Sequence, residues 1–148
     1  MPANPDFKDL FKVFNEENVE YLVVGAHAVI FYVEPRFTQD LDVWVNPIVE
    51  NATRVYSALK KYGAPLINIT NESFTDPELI YQIGIAPNRI DIIMEIAGVE
   101  FSDAWKNRVD STYDNVPIHI LGKSDLIKAK KATGRPQDLI DIERLEKI

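Results

Sequence analysis

Apolar and polar positions along this chain change their period several times, and each change marks an element. After Asn4-Pro5, Phe7, Leu10, Phe11 and Phe14 recur at helical spacing, which predicts a helix with a capping asparagine and a first-turn proline that ends near Asn18. Residues 21–24 are apolar throughout and predict a strand. A second helix over 26–33 would turn Ala28, Val29 and Tyr32 toward the sheet. Glu34-Pro35-Arg36 ends it, because the residue before a proline is pushed out of the α region. Leu41, Val43 and Val45 then alternate with Asp40, Asp42 and Trp44, so a strand here has one apolar and one acidic face. Val49, Ala52, Val55, Tyr56 and Leu59 return to the helical period up to Gly63.

The second half alternates in the same way. Residues 64–77 have no clear period and predict a loop with one short element, while 79–85 and 89–96 read as a hairpin turned at Pro87-Asn88. In its second strand Ile90, Ile92, Met94 and Ile96 share one face, with Asp91, Ile93 and Glu95 on the other. A short helix over 102–108 and two short strands within 111–121 follow. Ser124-Asp125 opens a helix that stops at Gly134, and Arg135-Pro136 opens the last, with Leu139, Ile142, Leu145 and Ile148 as its buried stripe. These two form a helical pair at about 123–148. The whole predicts an α/β (α+β) fold, a mixed sheet with helices packed mainly on one face and the acids lining the open face.

Composition narrows the chemistry. A chain of 148 residues, 46% hydrophobic, suits one domain over 1–148. It has no cysteine and only two histidines, which excludes disulfides and thiolate sites and argues against a His-rich zinc site; oxygen ligands suit magnesium. No run is long enough to span a membrane, and the first residues lack a basic and then apolar leader, so a cytoplasmic protein is expected. The net charge of −7, from 16 basic against 23 acidic residues, argues against broad nucleic-acid binding. Lys123, Lys128, Lys130, Lys131 and Arg135 form the one dense basic cluster, in which Lys128 and Lys131 share a face suited to a triphosphate or an RNA backbone.

The stretch 23–45 carries the chemistry. Asp40 and Asp42 lie about 6–7 Å apart along a strand, close enough to converge on one or two divalent cations. A lone Asp-x-Asp is common on solvated sheet faces. Its weight comes from Gly25-Ala26, which closes the preceding strand and opens a helix: Gly25 lets the backbone approach a ligand, and the helix start offers N–H groups to a phosphate. Arg36 lies close to the acids, where it either neutralises them or binds phosphate. His27 and His119 read as surface residues.

An apolar strand, Gly followed by a small residue, a helix and then Asp-x-Asp resembles the nucleotidyltransferase superfamily that includes DNA polymerase beta and kanamycin nucleotidyltransferase. Here these are Gly25-Ala26 and Asp40-Leu41-Asp42, with thirteen residues between Ala26 and Asp40, and Asp91 in Arg89-Ile90-Asp91 matches the third carboxylate. Arg36-Phe37-Thr38 before the acids is similar to the bacterial proteins related to the abortive-infection nucleotidyltransferase toxins. Many relatives carry Gly-Ser where this chain has Gly25-Ala26, so only backbone donors remain there.

The resemblance implies transfer of a nucleoside monophosphate from a nucleoside triphosphate to a hydroxyl of a small molecule, an RNA end or a protein. Asp40, Asp42 and Asp91 would hold two Mg2+ ions and act as the catalytic acids, with Glu95 the next candidate. Gly25, Ala26, Arg36, Thr38, Lys128 and Lys131 would bind the nucleotide. In so short a chain the acceptor pocket is open to completion by a second subunit or a partner protein. A catalytically idle nucleotide- or partner-binding domain of the same fold is the alternative. Haloacid-dehalogenase phosphatases and glycosyltransferases with Asp-x-Asp place the strand before the first acid, whereas here it follows.

Overall fold

The structure, a computed structural model, describes residues 3–33, 40–85 and 88–148. The Asn4 side chain accepts hydrogen bonds from the Asp6 and Phe7 N–H groups and, with Pro5 in the first turn, starts α1 (Pro5–Glu16). Asn18 turns the chain at a φ of 57° into β1 (Tyr21–Val24), and α2 (Gly25–Tyr32) follows without a linker. After β2 (Leu41–Val45), α3 (Val49–Tyr62) ends on Gly63, whose φ of 93° closes the helix in the left-handed region. A short 3-10 helix, Asn71–Thr75, precedes the antiparallel pair β3 (Ile80–Ile83) and β4 (Ile90–Ile93). Helix α4 (Phe101–Lys106) leads to the hairpin β5 (Val109–Tyr113) and β6 (Val116–Ile120), turned by Asp114 and Asn115, both at positive φ as a tight two-residue turn requires. Helices α5 (Lys123–Thr133) and α6 (Pro136–Glu146) close the chain and pack on each other.

The strands form one six-stranded sheet in the order β3-β4-β2-β1-β6-β5. β1 is antiparallel to β2 but parallel to β6, and β2 is parallel to β4, so the sheet is mixed. Alternation gives it two distinct faces. Tyr21, Val23, Leu41, Val43, Val45, Ile90 and Ile92 are buried. On that face the Tyr21 ring stacks on Phe11 at 6.0 Å and tilts against Phe14 at 5.5 Å, which places α1 over it, with α3 packed beside α1. The opposite face carries Val24, Asp42, Trp44, Asp91 and Ile93. Trp44 is covered there by the Phe101 ring of α4, 5.0 Å away.

One polar side chain ties this frame together. Asn51, fully buried on α3, accepts from the Glu20 N–H at 2.8 Å and donates to the carbonyls of Glu20 at 3.0 Å and Asn46 at 2.9 Å. It therefore pins the start of β1 to the end of β2, and with them the register that sets the acids side by side.

The last helix departs from its sequence pattern. Leu139 and Ile148 are more than half exposed, while Asp138 and Asp141 are buried with Ile142 and Leu145. The cause lies on α5: the Lys130 ammonium sits 3.0 Å from Asp141 and 3.3 Å from Asp138, so the contact between the helices has an ionic centre. Among the described residues no helix is long and apolar enough to cross a membrane.

Candidate active site

Two strand registers assemble the site. In the antiparallel pair β1/β2, Val24 lies opposite Asp42; in the parallel pair β2/β4, Asp42 lies opposite Asp91. Asp42 is thus flanked by Asp91 on one side and by the end of β1 on the other, where the next residue is Gly25. Gly25 has a φ of 65°, and a Cβ there would collide with the Asp42 carboxylate. The glycine is required twice, by its backbone conformation and by this close approach.

The structure brings Asp40, Asp42 and Asp91 together on the face opposite Leu41 and Val43. The Asp42 pKa is raised from its ordinary 3.8 to about 6, first by burial and then by the charges of Asp91 and Asp40 and a hydrogen bond to Asp91, against the opposing pull of Arg89. Among the described residues Arg89 joins two of the acids, Asp40 and Asp91. Its Nε donates to Asp91 Oδ1 at 2.9 Å and its Nη2 to Asp91 Oδ2 at 3.3 Å; Nη2 also lies 3.5 Å from Asp40 Oδ2, and the Arg89 backbone N–H donates to Asp40 Oδ1 at 3.3 Å. Among the described residues no three acidic or histidine side chains are grouped as a ready metal site. The donor chemistry nevertheless fits a hard divalent cation: every candidate ligand is a carboxylate oxygen, and the burial and like charges that disfavour ionised Asp42 are what such a cation offsets.

A cavity of about 140 Å³ opens beside Asp42. Val24, Gly25 and Asp42 form one wall, and Leu126, Lys130, Thr133 and Arg135 from the C-terminal helices contribute to another. Arg135 grips Asp138 through Nε at 2.8 Å and Nη2 at 3.3 Å, and its charge is stabilised by that pair first and also by Asp42. The same Asp138 accepts from Thr133 Oγ1 at 2.6 Å, and these bonds, the Arg135 pair foremost, hold its carboxyl well below the usual range.

Lys128 and Lys131, expected to hold the triphosphate, do not line this cavity. A helix advances about 100° per residue, so a face presenting Leu126, Lys130 and Thr133 to the cavity turns Lys128 and Lys131 to the far side. Both are exposed, and Lys131 lies 3.5 Å from Glu146. The lysine run is visible in sequence, whereas its inward-facing member, Lys130, is set by the phase of the helix. The signal was available, since Lys130 is four residues from the buried Leu126.

The remaining candidates fall as follows. Glu95 is exposed and lines a separate cavity of about 330 Å³ with Trp44, Met94 and Glu100, two residues beyond Ile93 on the strand that carries Asp91. His27 is not a plain surface residue. Its Nε2 is buried without a hydrogen-bond partner among the described residues, its ring meets Phe7 edge-on at 5.4 Å, and burial lowers its pKa while Asp40 opposes the shift. His119 is partly covered between Tyr21 and Trp105, with Nδ1 2.6 Å from Asp110 Oδ1. Ala26 is half-buried in the first turn of α2. Arg36 and Thr38 lie outside the described residues.

Residues 6–147 match a family described as a nucleotidyltransferase of unknown function (DUF6036). No curated protein matches the sequence. Three solved structures are similar in fold. TM1012 of Thermotoga maritima superposes with a TM-score of 0.64 at 13% identity, covering 99% of this chain and 96% of that one. The antibiotic-resistance factor ANT(2'')-Ia gives 0.61 at 10% identity, covering 95% and 80%. The lincosamide antibiotic adenylyltransferase LnuA, with lincomycin bound, gives 0.59 at 13% identity, covering 99% and 98%.

Proposed function

The chain belongs to the family of nucleotidyltransferases of unknown function, and from that premise we propose that it moves a nucleoside monophosphate from a nucleoside triphosphate to a hydroxyl group in a reaction that needs a divalent cation, Mg2+. One observation carries this reading: Asp42 lies opposite Asp91 across paired strands while the Gly25 Cα is held against its carboxylate. An acid pair for cations and a backbone turn for phosphates are then neighbours.

Asp40, Asp42 and Asp91 are the residues that would hold the cations. When bound, these would stabilise charge on the phosphates and lower the pKa of the acceptor hydroxyl. The first N–H groups of α2, at Gly25 and Ala26, bind phosphate oxygens, since they have no partner inside the helix. Arg135, at the edge of the cavity and within the field of Asp42, supplies the countercharge that Lys128 and Lys131 are turned away from supplying. The acceptor oxygen attacks the α-phosphorus, its proton passes to Asp91, the bond to the bridging oxygen breaks and pyrophosphate leaves. No covalent enzyme intermediate is involved.

LnuA is described as adenylylating lincosamide antibiotics, and by that analogy of fold the acceptor assigned here is the hydroxyl of a small molecule. The test is incubation with each labelled nucleoside triphosphate and Mg2+, alone, with small-molecule extract and with RNA. Release of pyrophosphate with label on a small molecule is expected. Label on RNA or protein would move the acceptor class, and tight nucleotide binding with no pyrophosphate over hours would favour a non-catalytic binding domain.

A further inference from the structure

We infer that Arg89 is an exchanging counter-ion of the site: it holds Asp40 and Asp91 in the free protein and transfers its guanidinium to the phosphates of the donor when a divalent cation takes the carboxylates. The inference rests on the function proposed above.

The geometry is that of a competitor. Arg89 spends Nε and Nη2 on both oxygens of Asp91 and lies within 3.5 Å of Asp40, so it engages the oxygens that would ligate the cation. A guanidinium does not deprotonate in a protein, so it cannot yield these oxygens by losing its proton and must move away. Its side chain has the room to do so, being about one-third exposed, whereas Asp91 is largely covered at 12%. The backbone is held independently of the side chain: the Arg89 N–H donates to Asp40 and its carbonyl accepts from the Leu41 N–H at 2.9 Å. Rotation of the side chain therefore leaves the strand pairing intact.

The planar fork that fits a carboxylate also fits two phosphate oxygens. A triphosphate arriving with its cation brings the acids a stronger counter-ion and gives Arg89 a new anion beside Asp40 and Asp91. The exchange keeps the carboxylates compensated in both states. It also disfavours loading by a divalent cation without nucleotide, because Arg89 would then lose its anions and gain none.

The experiment uses the full chain and reads binding, not turnover. Mn2+ affinity is measured by electron paramagnetic resonance without nucleotide, and affinity for a non-hydrolysable triphosphate analogue by calorimetry at saturating Mn2+. Arg89→Gln is expected to bind Mn2+ alone at least fivefold more tightly and the analogue at least tenfold more weakly than wild type. Arg89→Lys, which keeps the charge without the fork, is expected to lie between them and guards against a folding defect in Arg89→Gln. Unchanged or weaker Mn2+ binding in both variants overturns the inference, as does unchanged affinity for the analogue. A wild type that binds both ligands while the variants do not differ sinks only the role of Arg89; a wild type that binds neither sinks the nucleotidyl-transfer reading along with it.

Discussion

The carboxylate of Asp42 rests against the Cα of Gly25, in the space where any other residue would carry its Cβ. The contact links the turn at the end of β1 to the acid at the centre of the sheet, so the two halves of the site cannot vary independently. Gly63 offers a control. It too has a positive φ, 93°, but a Cβ there meets nothing within 4 Å. Gly63→Ala is expected to cost about 1–2 kcal/mol from the left-handed backbone alone and to leave turnover intact. Gly25→Ala should cost more and abolish pyrophosphate release. Chemical denaturation and the release assay separate the two, and equal effects on turnover would remove the close approach as the reason for the glycine.

Asp42 should make the free protein less stable at neutral pH than at mildly acidic pH. Its folded-state pKa of about 6 lies above the ordinary 3.8, so the folded protein binds the proton more tightly than the unfolded chain does. The stability this gives is fully present below the ordinary value and is lost as pH rises through about 6, to a maximum of about 3 kcal/mol. Asp42→Asn removes the titration. The variant should melt several degrees above the cation-free wild type at pH 7, match it near pH 4, and release no pyrophosphate. A melting temperature at pH 7 equal to or below that of the wild type would show that burial and the neighbouring charges do not penalise the ionised Asp42 as placed.

Asn51 should act on stability alone. Asn51→Ala leaves the Glu20 N–H and the carbonyls of Glu20 and Asn46 without this partner, in a place where the side chain is fully buried. The expected loss is on the order of 2–4 kcal/mol by urea unfolding. KM for the triphosphate should stay near the wild-type value at a temperature where both proteins are folded, because Asn51 does not line the cavity beside Asp42. A rise in KM without loss of stability would place Asn51 in the site instead.

What the sequence could and could not reveal follows from which interactions are local. The alternation of Leu41 with Asp42 and of Ile90 with Asp91 is a property of each strand, so the apolar and acidic faces were legible before any fold was known. That Asp42 and Asp91 would be neighbours needed the pairing β4-β2-β1, which no local pattern encodes. The failure at α6 has the same origin. Asp138 and Asp141 look like surface acids, and Leu139 looks like core, until Lys130 of the preceding helix supplies their counter-ion. The pairing of Arg89 with Asp91 was legible as a two-residue spacing, whereas its reach to Asp40 required the parallel register of β2 and β4.

The basic residues of the C-terminal helices should separate by position and not by charge. Lys130 is buried between Asp138 and Asp141, so Lys130→Met leaves buried carboxylates without their ammonium and is expected to cost about 3–5 kcal/mol. Lys131→Met breaks only an exposed pair with Glu146 and should cost less than about 0.5 kcal/mol. Acid sensitivity provides an independent sign. Asp138 titrates below its ordinary value, chiefly through Arg135, so its contribution is present above that value and is lost as pH falls below it, the reverse of Asp42. Lys130→Met and Arg135→Ala should both flatten this acid limb, whereas the double variant Lys128→Ala/Lys131→Ala should keep it. The same set locates the phosphate contact: triphosphate affinity should fall about tenfold in Arg135→Ala and remain unchanged in the Lys128→Ala/Lys131→Ala variant. If the double lysine variant loses affinity and Arg135→Ala does not, the phosphates run along the outer face of α5 and the cavity beside Asp42 is not their path.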